Sequence, residues 1–531
     1  MAFLLHELIR DSAQRTPEAP ALGLRRDTLH YGELDALLGC AAAGLRGLGV
    51  ERDERVAVYL PKQFETVVAM FAAAAAGGVF VPVNPILKPE QVGHILRDCD
   101  THTLVTSADR AGLLVDVLAD CPGLRHVVTV GEDGAELPLP GSVSRHRWQD
   151  LIEVDAPCPA LQRIDADMAS ILYTSGSTGR PKGVVLSHRN MLAGAQSVAT
   201  YLDNVPQDRL LAVLPFSFDY GLSQLTTAFH VGASAYLIDY LLPRDVVRAV
   251  ARLDITGLAA VPPLWNQLAT LEWPPAAVES LRYITNSGGA MPVAITRQLR
   301  AALPKTAVYL MYGLTEAFRS SYLPPDQVDV RPESMGKAIP NAEILVVRPD
   351  GSTCDVDEPG ELVHRGALVS LGYWGDREKT AARFKPAPGQ PAGLPNPELA
   401  VWSGDQVRRD AEGYLYFIGR NDEMIKTSGY RVSPGEIEEV VFGLPDVEQA
   451  VALGAPHPQL GAGIVLVVQA SSPAVDVDAV LAHCRVHLPL YMLPGHVEIA
   501  TSLPRNPNGK IDRKTLAARF EDVFSSTEPG A

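Results

Sequence analysis

Between Arg55 and Gly289 short apolar runs alternate with segments of helical periodicity, and this alternation restricts the fold more than any other feature of the chain. RVAVYL (Arg55–Leu60) reads as a buried strand, Gln63–Ala76 as a helix, and VFVPV (Val79–Val83) as a second strand. THTLVTS (Thr101–Ser107) and HVVTV (His126–Val130) continue the series. Ala169–Tyr173, Leu210–Pro215, Ala233–Ile238, Gly257–Pro262 and Leu281–Gly289 follow. Strands that alternate with helices predict parallel α/β sheets. From about Ala338 the texture changes. EILVVRPDGSTCDVDEPGELVHRG sets short apolar runs around Asp350–Gly351 and Pro359–Gly360, the pattern of antiparallel hairpins. KPAPGQPAGLPNPE (Lys385–Glu398) reads as a surface loop. After GYLYFIGR (Gly413–Arg420) comes a tail of roughly a hundred residues, enough for a small core of its own.

A chain of 531 residues predicts more than one domain, and 47% apolar content supplies a sizeable core. Its net charge of -16 repels nucleic acid and anionic membrane, and no run of Lys and Arg offsets it. No nucleic-acid partner is expected. The cysteines Cys40, Cys99, Cys121, Cys158, Cys354 and Cys484 are scattered without a CxxC, so neither a zinc site nor a disulfide framework is suggested. Reduced thiols suit a cytoplasmic protein. The N-terminal MAFLLHELIRDSAQRTPEAPAL is interrupted by His6, Glu7, Arg10 and Asp11, which fits an amphipathic surface helix rather than a signal peptide. The uncharged stretch Thr66–Val83 is alanine-rich and broken by Gly77–Gly78, so it is expected to be a buried helix and strand, not a membrane span.

Residues 174–183 read TSGSTGRPKG: three glycines, four hydroxyls and two cations. Glycines let successive backbone N–H groups converge on an anion. Ser175, Ser177 and Thr178 add donors and Lys182 adds a point charge. The spacing is not that of the common P-loop, because Gly179 is followed by Arg-Pro-Lys. By composition alone, a flexible Ser/Gly linker accounts for the stretch as well as an anion loop does.

The stretch resembles the phosphate loop of the adenylate-forming ligases, the superfamily of acyl-CoA synthetases, nonribosomal peptide adenylation domains and luciferases. Five further motifs follow in that family's order: NSGGAM (Asn286–Met291), YGLTE (Tyr312–Glu316), SGD (Ser403–Asp405), GRNDEMIKTSGYRVSPGEIE (Gly419–Glu438) and NPNGKID (Asn506–Asp512). The resemblance covers nearly the whole chain and is most like a stand-alone aminoacyl- or acyl-activating ligase. It implies an α/β fold. The large N-terminal adenylation core, residues 1–420, would have mixed and parallel sheets with helices and a small β-barrel-like part. A small mobile α+β C-terminal lid domain would cover residues 421–531.

The resemblance also implies the chemistry. A carboxylate attacks the α-phosphorus of ATP, giving an acyl-adenylate and pyrophosphate; a thiol then attacks the activated carbonyl and releases AMP. ATP contacts are implied for Thr174, Ser175, Gly176, Ser177, Thr178, Gly179 and Lys182 in the loop. They are implied also for Gly288, Gly289, Ala290, Tyr312, Gly313, Asp405 and Arg420. Glu316 would hold Mg²⁺, a hard cation that bridges phosphates, and Lys510, Thr315 and Glu316 would be catalytic. Asp422 matches the hinge of a domain rotation between the two half-reactions. Lys426, Ser428, Gly429 and Tyr430 would line the thiol tunnel. Taken singly, Asp405 and Glu316 read more readily as surface carboxylates and Lys510 as a solvated turn lysine; their shared order is what argues otherwise.

For the acid, the informative stretch is AVLPFSFDYGLSQL (Ala212–Leu225). Asp219 is a lone acid among aromatic and aliphatic neighbours, and an unpaired buried carboxylate is costly. In relatives that activate amino acids, an aspartate at this motif position pairs with the substrate's α-ammonium. The alternative is a helix N-cap. Phe218, Ser287, Met311 and Arg319, with Thr285, are candidate pocket residues. Arg319 could point inward to neutralise Asp219, point inward to bind a second substrate carboxylate, or point outward into solvent. Trp265 reads as a core aromatic before it reads as a pocket wall.

The favoured expectation is a ligase that adenylates a small amino acid such as proline or alanine and loads it on the phosphopantetheine thiol of a carrier protein in trans, since about twenty residues follow NGKID. The alternative is an AMP-forming acyl-CoA ligase. Carrier proteins are usually acidic, so docking would need a basic patch, for which Arg408, Arg409 and Arg431 are candidates. A luciferase-like oxygenase would share the same residues. A hydrolase is disfavoured by the lack of a G-x-S-x-G elbow at the loop.

Overall fold

The computed structural model describes residues 2–525 except 132–136, 154–161, 175–180, 392, 421–424, 428–429, 433, 458–459, 474, 489 and 508; the side chains at 420, 426, 430, 431, 436 and 491 are likewise not described. Two large sheets carry the first four-fifths of the chain and a five-stranded sheet carries the rest.

In the eight-stranded sheet the order is Gly372–Tyr373, Lys182–Ser187, Met168–Thr174, Val79–Pro82, Arg55–Tyr59, Thr103–Ser107, His126–Val130 and Ser144–Arg147. Its central pairings are parallel. The fourteen-stranded sheet has a parallel half containing Ser234–Leu237, Arg209–Ala212, Gly257–Ala260, Tyr283–Asn286 and Ala307–Tyr312. Its other half is antiparallel and begins at Ser321–Leu323. The hairpins expected after Ala338 lie there: Ala342–Val347 pairs antiparallel with Gly360–Gly366, which pairs with Leu399–Arg409. The small barrel-like part is thus a set of antiparallel strands continuous with the large sheet.

The alanine-rich stretch is the helix Phe64–Ala76, buried along nearly its whole length and followed by the strand Val79–Pro82. Among the described residues no helix is long and apolar enough to cross a membrane. This helix lies between the two sheets. Phe71 stacks on Phe80 of the eight-stranded sheet with ring centroids 6.5 Å apart, and meets Phe229 of the helix Asp219–Val231 edge-on at 5.3 Å. One apolar core therefore runs through both sheets and the helices between them. Lys62 adds a polar tie: its buried ammonium donates to the carbonyls of Val213 and Ile238 at 2.9 and 2.7 Å and pairs with Asp239 at 3.0 Å. Burial lowers its pKa, opposed by Asp239.

The five-stranded sheet contains Tyr430–Val432, Ile425–Thr427, Gly461–Ala470, Val447–His457 and, parallel to Gly461–Ala470, His496–Ala500. The helices Pro434–Phe442 and Val477–His487 pack on one face, with apolar residues of their own.

Gly221 shows how tightly the core seats the helix that begins at Asp219. A Cβ on Gly221 would lie 2.1 Å from the carbonyl oxygen of Pro215. Gly221→Ala must push that helix off the preceding loop, at about 1–3 kcal/mol. A lowered melting temperature together with weaker acid activation is expected, checked by thermal unfolding and pyrophosphate release.

Candidate active site

Four neighbouring parallel strands of the large sheet deliver the site. The strands Arg209–Ala212, Gly257–Ala260, Tyr283–Asn286 and Ala307–Tyr312 run the same way. Their C-terminal ends lead to Phe218–Asp219, Pro262, Ser287–Gly289 and Gly313–Glu316 respectively. Ligands of open α/β sheets bind outside this edge, where loops are free of the ladder. Motifs separated by up to a hundred residues converge here because parallel strands align their ends.

The strands that flank the glycine-rich stretch 174–183 pair with each other. Met168–Thr174 and Lys182–Ser187 are antiparallel, with Thr174 opposite Lys182. Residues 175–180, with Ser175, Gly176, Ser177, Thr178 and Gly179, lie outside the described residues. At its flanks the Oγ1 of Thr174 is buried without a partner. The ammonium of Lys182 donates to Glu316 Oε1 at 3.0 Å and to the Tyr373 hydroxyl at 2.7 Å. The same hydroxyl donates to Glu316 Oε1 at 2.6 Å. Burial works to raise the Glu316 pKa, but the charge of Lys182, the Tyr373 hydroxyl and the charge of Arg383 outweigh it, leaving the carboxyl below its ordinary value. A carboxylate beside an ammonium and an unpartnered threonine hydroxyl is a donor set that fits a Mg²⁺–polyphosphate.

Glu316 belongs to a single 3₁₀ turn, Thr315–Ala317, after which Phe318 adopts φ 57°. A non-glycine residue is strained in this region. The turn brings Arg319 back into the protein, where its guanidinium is 2% exposed. Arg319 donates to Asp219 Oδ2 at 2.7 Å, to the Phe318 carbonyl at 2.8 Å and to Ser223 Oγ at 3.1 Å. It lies over the Tyr220 ring at 4.7 Å, and its Nε–H is buried without an acceptor. Thr315 Oγ1 donates to Asp219 Oδ1 at 3.2 Å. Of the orientations open to Arg319 from sequence, the inward one that neutralises Asp219 is observed. Asp219 is the first residue of its helix; the N-cap is Phe218 and carries no side-chain cap.

Across the cleft the Tyr312 hydroxyl donates to the carboxylate of Asp405. Asp405 is buried in the strand Leu399–Arg409, opposite Arg420 in the ladder. Gly288 has φ +81°, and a Cβ there would stand 3.4 Å from Phe218 Cζ and 3.8 Å from Lys510 Cε. Lys510 thus reaches the cleft, its ammonium 5.8 Å from the Phe218 ring centre. It does so from a turn in which the Asn506 N–H donates to the Lys510 carbonyl and the Lys510 N–H donates to Asn506 Oδ1. Asn84 donates to the Pro507 carbonyl at 3.3 Å and fastens this turn to the eight-stranded sheet's side of the cleft.

Other expected residues fall less centrally. Ser287 is buried beside Gly288, whereas Gly289 and Ala290 are exposed. The Met311 sulfur accepts the Tyr201 hydroxyl at 3.0 Å within the core. Trp265 is fully buried, its N–H bonded to the carbonyls of Ala260 and Thr285, so the core reading holds for it. Asp422, Ser428 and Gly429 lie outside the described residues, as do the side chains of Arg420, Lys426 and Tyr430. Arg408 is paired with Asp357 and lies over Tyr416, so it is not a free docking cation. Sequence reasoning missed Tyr373 and Asn84. Tyr373 lies 57 residues from Glu316, and only its Gly-Tyr strand, paired with Lys182–Ser187, brings the two together.

Removing the Tyr373 hydroxyl strips one donor from Glu316 and one acceptor from Lys182. Hydrogen bonds to charged groups are worth about 1.5–3 kcal/mol, so Tyr373→Phe is expected to weaken adenylation about tenfold or more. The Mg²⁺ dependence of ATP–pyrophosphate exchange is the measurement: the requirement should rise while the apparent affinity for the acid stays the same.

Comparison with known proteins agrees with this geometry. The family model described as AMP-binding enzyme matches residues 9–374, and that of the AMP-binding enzyme C-terminal domain matches residues 436–510. An L-proline–[L-prolyl-carrier protein] ligase of Streptomyces coelicolor is 33% identical over 524 residues, covering 96% of this chain and 95% of the relative. A long-chain-fatty-acid–CoA ligase of Salmonella typhimurium is 30% identical over 546 residues, covering 96% and 94%. The crystal structure of ATP-bound MatB from Rhodopseudomonas palustris superposes with a TM-score of 0.85 at 26% identity, covering 98% of this chain and 99% of that one. With its strand-end cleft, its ordered motifs and its lysine delivered from the C-terminal turn, the chain belongs to the AMP-binding enzyme family and is an adenylate-forming acid–thiol ligase.

Proposed function

We propose that the protein adenylates a small amino acid, in the size range of proline or alanine, and transfers it to the phosphopantetheine thiol of a carrier protein supplied in trans. The observation that carries this reading is Asp219, buried at the strand-end cleft beside Thr315 and next in sequence to Phe218, whose ring centre lies 5.8 Å from the Lys510 ammonium. A carboxylate accepts at about four lone-pair sites, and Arg319 and Thr315 take one each. About two acceptor sites are left for a substrate ammonium. The similarity to prolyl-carrier ligases over nearly the full length supports the same class.

The residues divide the work. Lys182 and the loop 174–183 take the β- and γ-phosphates. Glu316 and the Thr174 hydroxyl would hold Mg²⁺, which would supply charge neutralisation on the transferring phosphates. Tyr312 stacks on the adenine and Asp405 holds the ribose hydroxyls, with Arg420 beside it. Asp219 orients the amine. Lys510 meets the oxygens of the carboxylate and α-phosphate as negative charge gathers there, an electrostatic contribution that needs a preplaced cation. In the second half-reaction the segment 421–531 turns about Asp422, withdraws Lys510 and presents Lys426, Ser428, Gly429 and Tyr430 to the incoming thiol. The division into residues 1–420 and 421–531 is part of this proposal.

One observation favours a second reading. Arg319 already balances the charge of Asp219, so the pocket does not require a substrate amine, and an unaminated acid passed to coenzyme A would also fit. Pyrophosphate release across a panel of amino acids and simple carboxylic acids separates the two. Amino acids should turn over, and Asp219→Asn should reduce their kcat/KM by about tenfold or more through loss of a charged partner. Turnover of unaminated acids alone would remove the role given to Asp219. Coenzyme A and a phosphopantetheinylated carrier protein, tested side by side, identify the acceptor.

Lys510 is tested separately. Lys510→Ala should abolish adenylation yet still pass a supplied aminoacyl-adenylate to the thiol. Equal loss of both steps, measured by pyrophosphate exchange and by thioester formation from the adenylate, would contradict the two-faced use of the C-terminal segment.

A further inference from the structure

A concavity lies at the other end of the same strand that leads to Asp219. A cavity of about 370 Å³ is lined by four arginines, Arg25, Arg26, Arg209 and Arg252, together with Asp27 and Tyr236. Arg25 and Arg26 form the turn between the strands Pro20–Leu24 and Asp27–His30, with Arg25 at φ 56°. Arg209 opens the strand Arg209–Ala212, and Arg252 closes the helix Pro243–Arg252. Three separate elements thus bring their cations to one concavity.

What sets these arginines apart is that they converge on one concavity with a single carboxylate, Asp27, on its rim. Arg52, Arg189, Arg282 and Arg348 each sit on a carboxylate. Among the described residues the side chains of Arg25, Arg26, Arg209 and Arg252 form neither an ion pair nor a hydrogen bond. The guanidinium of Arg209 is instead laid over the Tyr236 ring at 4.8 Å, and its Nε–H is buried with no acceptor. The stacking fixes the fork in place while leaving its donors unused, an arrangement suited to planar recognition of an oxyanion. Asp27 is the single carboxylate on the rim. Arg244 and Arg248, also without described partners, precede Arg252 at four-residue spacing on the same helix and extend the positive field. Like charges at that spacing repel. Arg25, Arg26 and Arg252 are exposed, so in a chain of net charge -16 the group leaves a local positive field open to solvent.

We infer that this cavity binds a small, multiply charged phosphate anion at a site separate from the adenylation cleft. No residue of its lining contributes to the cleft, and its volume suits a small ligand rather than a flat protein surface. The ligand chemistry is that of a polyphosphate, free or carried by a nucleotide.

The test is calorimetric titration of the full-length protein with inorganic tripolyphosphate. Wild type is expected to take up two equivalents, one in each site. Lys182→Ala should retain the arginine site, and Arg25→Gln/Arg209→Gln should lose it, with affinity falling about tenfold or more as charged hydrogen bonds are removed. The double variant should keep its melting temperature and its pyrophosphate-exchange rate, which separates ligand loss from misfolding and from any error in the proposed substrate. Titration with AMP distinguishes the source: binding that the double variant loses assigns a nucleotide phosphate, and binding of tripolyphosphate alone assigns the inorganic form. The inference is overturned by a single equivalent that disappears with Lys182→Ala, or by a double variant that titrates as wild type does. It is overturned equally if neither anion binds while an acidic protein loses affinity for the variant.

Discussion

The packing of Phe71 between Phe80 and Phe229 is the contact on which the rest of the structure turns, because it sets the distance and rotation between two sheets that, among the described residues, share no strand pairing. A sheet face buried by a helix must be covered along its length, and here one helical layer serves two sheets. Ala-rich Phe64–Ala76 can fill that layer because small side chains let both sheets approach. Once the layer is seated, the strand ends of the large sheet and the hairpin at Thr174–Lys182 face the same cleft, and Lys62 bridges from one sheet to the other with its ammonium.

Within that cleft three buried carboxylates are each held by a donor from another part of the chain. Lys182 and Tyr373 hold Glu316, Tyr312 holds Asp405, and Arg319 with Thr315 holds Asp219. Taking an uncompensated carboxylate out of water is prohibitive, so the pairs allow the protein to keep charged acceptors in a shielded place. They also preorganise them. A ligand that meets these groups exchanges one partner for another instead of ordering loose side chains, which is the economical way to build electrostatic complementarity. The strained Phe318 that follows the Thr315–Ala317 turn is the local cost of bringing Arg319 inward to complete one of these pairs.

Much of the fold was legible in the sequence because its strands are short apolar runs punctuated by turns. His126–Val130 matches its expected bounds, and Arg55–Tyr59, Thr103–Ser107, Gly257–Ala260 and Tyr283–Asn286 fall inside theirs. The expected hairpins, the buried alanine-rich helix and the core position of Trp265 follow from equally local signals. What local pattern does not reveal is an element whose state depends on a distant partner. VVLS after the glycine-rich stretch carries no local feature to distinguish a loop exit from a strand; only the ladder to Met168–Thr174 makes Lys182–Ser187 a strand and pairs the two flanks of that stretch. Tyr373 escaped notice for the same reason.

Residue order and residue type determined the family: TSGSTGRPKG, YGLTE, SGD and NPNGKID carry their chemistry in contiguous residues, so they can be read without a structure. Tertiary structure decided what faces what. Asp219 and Arg319 are a hundred residues apart, and no periodicity relates them; their pairing follows from two strands of the parallel half-sheet, with two strands between them, ending at the same edge, and from one strained turn. Likewise Arg25, Arg209 and Arg252 are unremarkable cations in sequence and become one cavity only where a hairpin, a strand and a helix end meet. Local patterning encodes elements through period and turn chemistry, whereas charge balance is a property of three-dimensional neighbours.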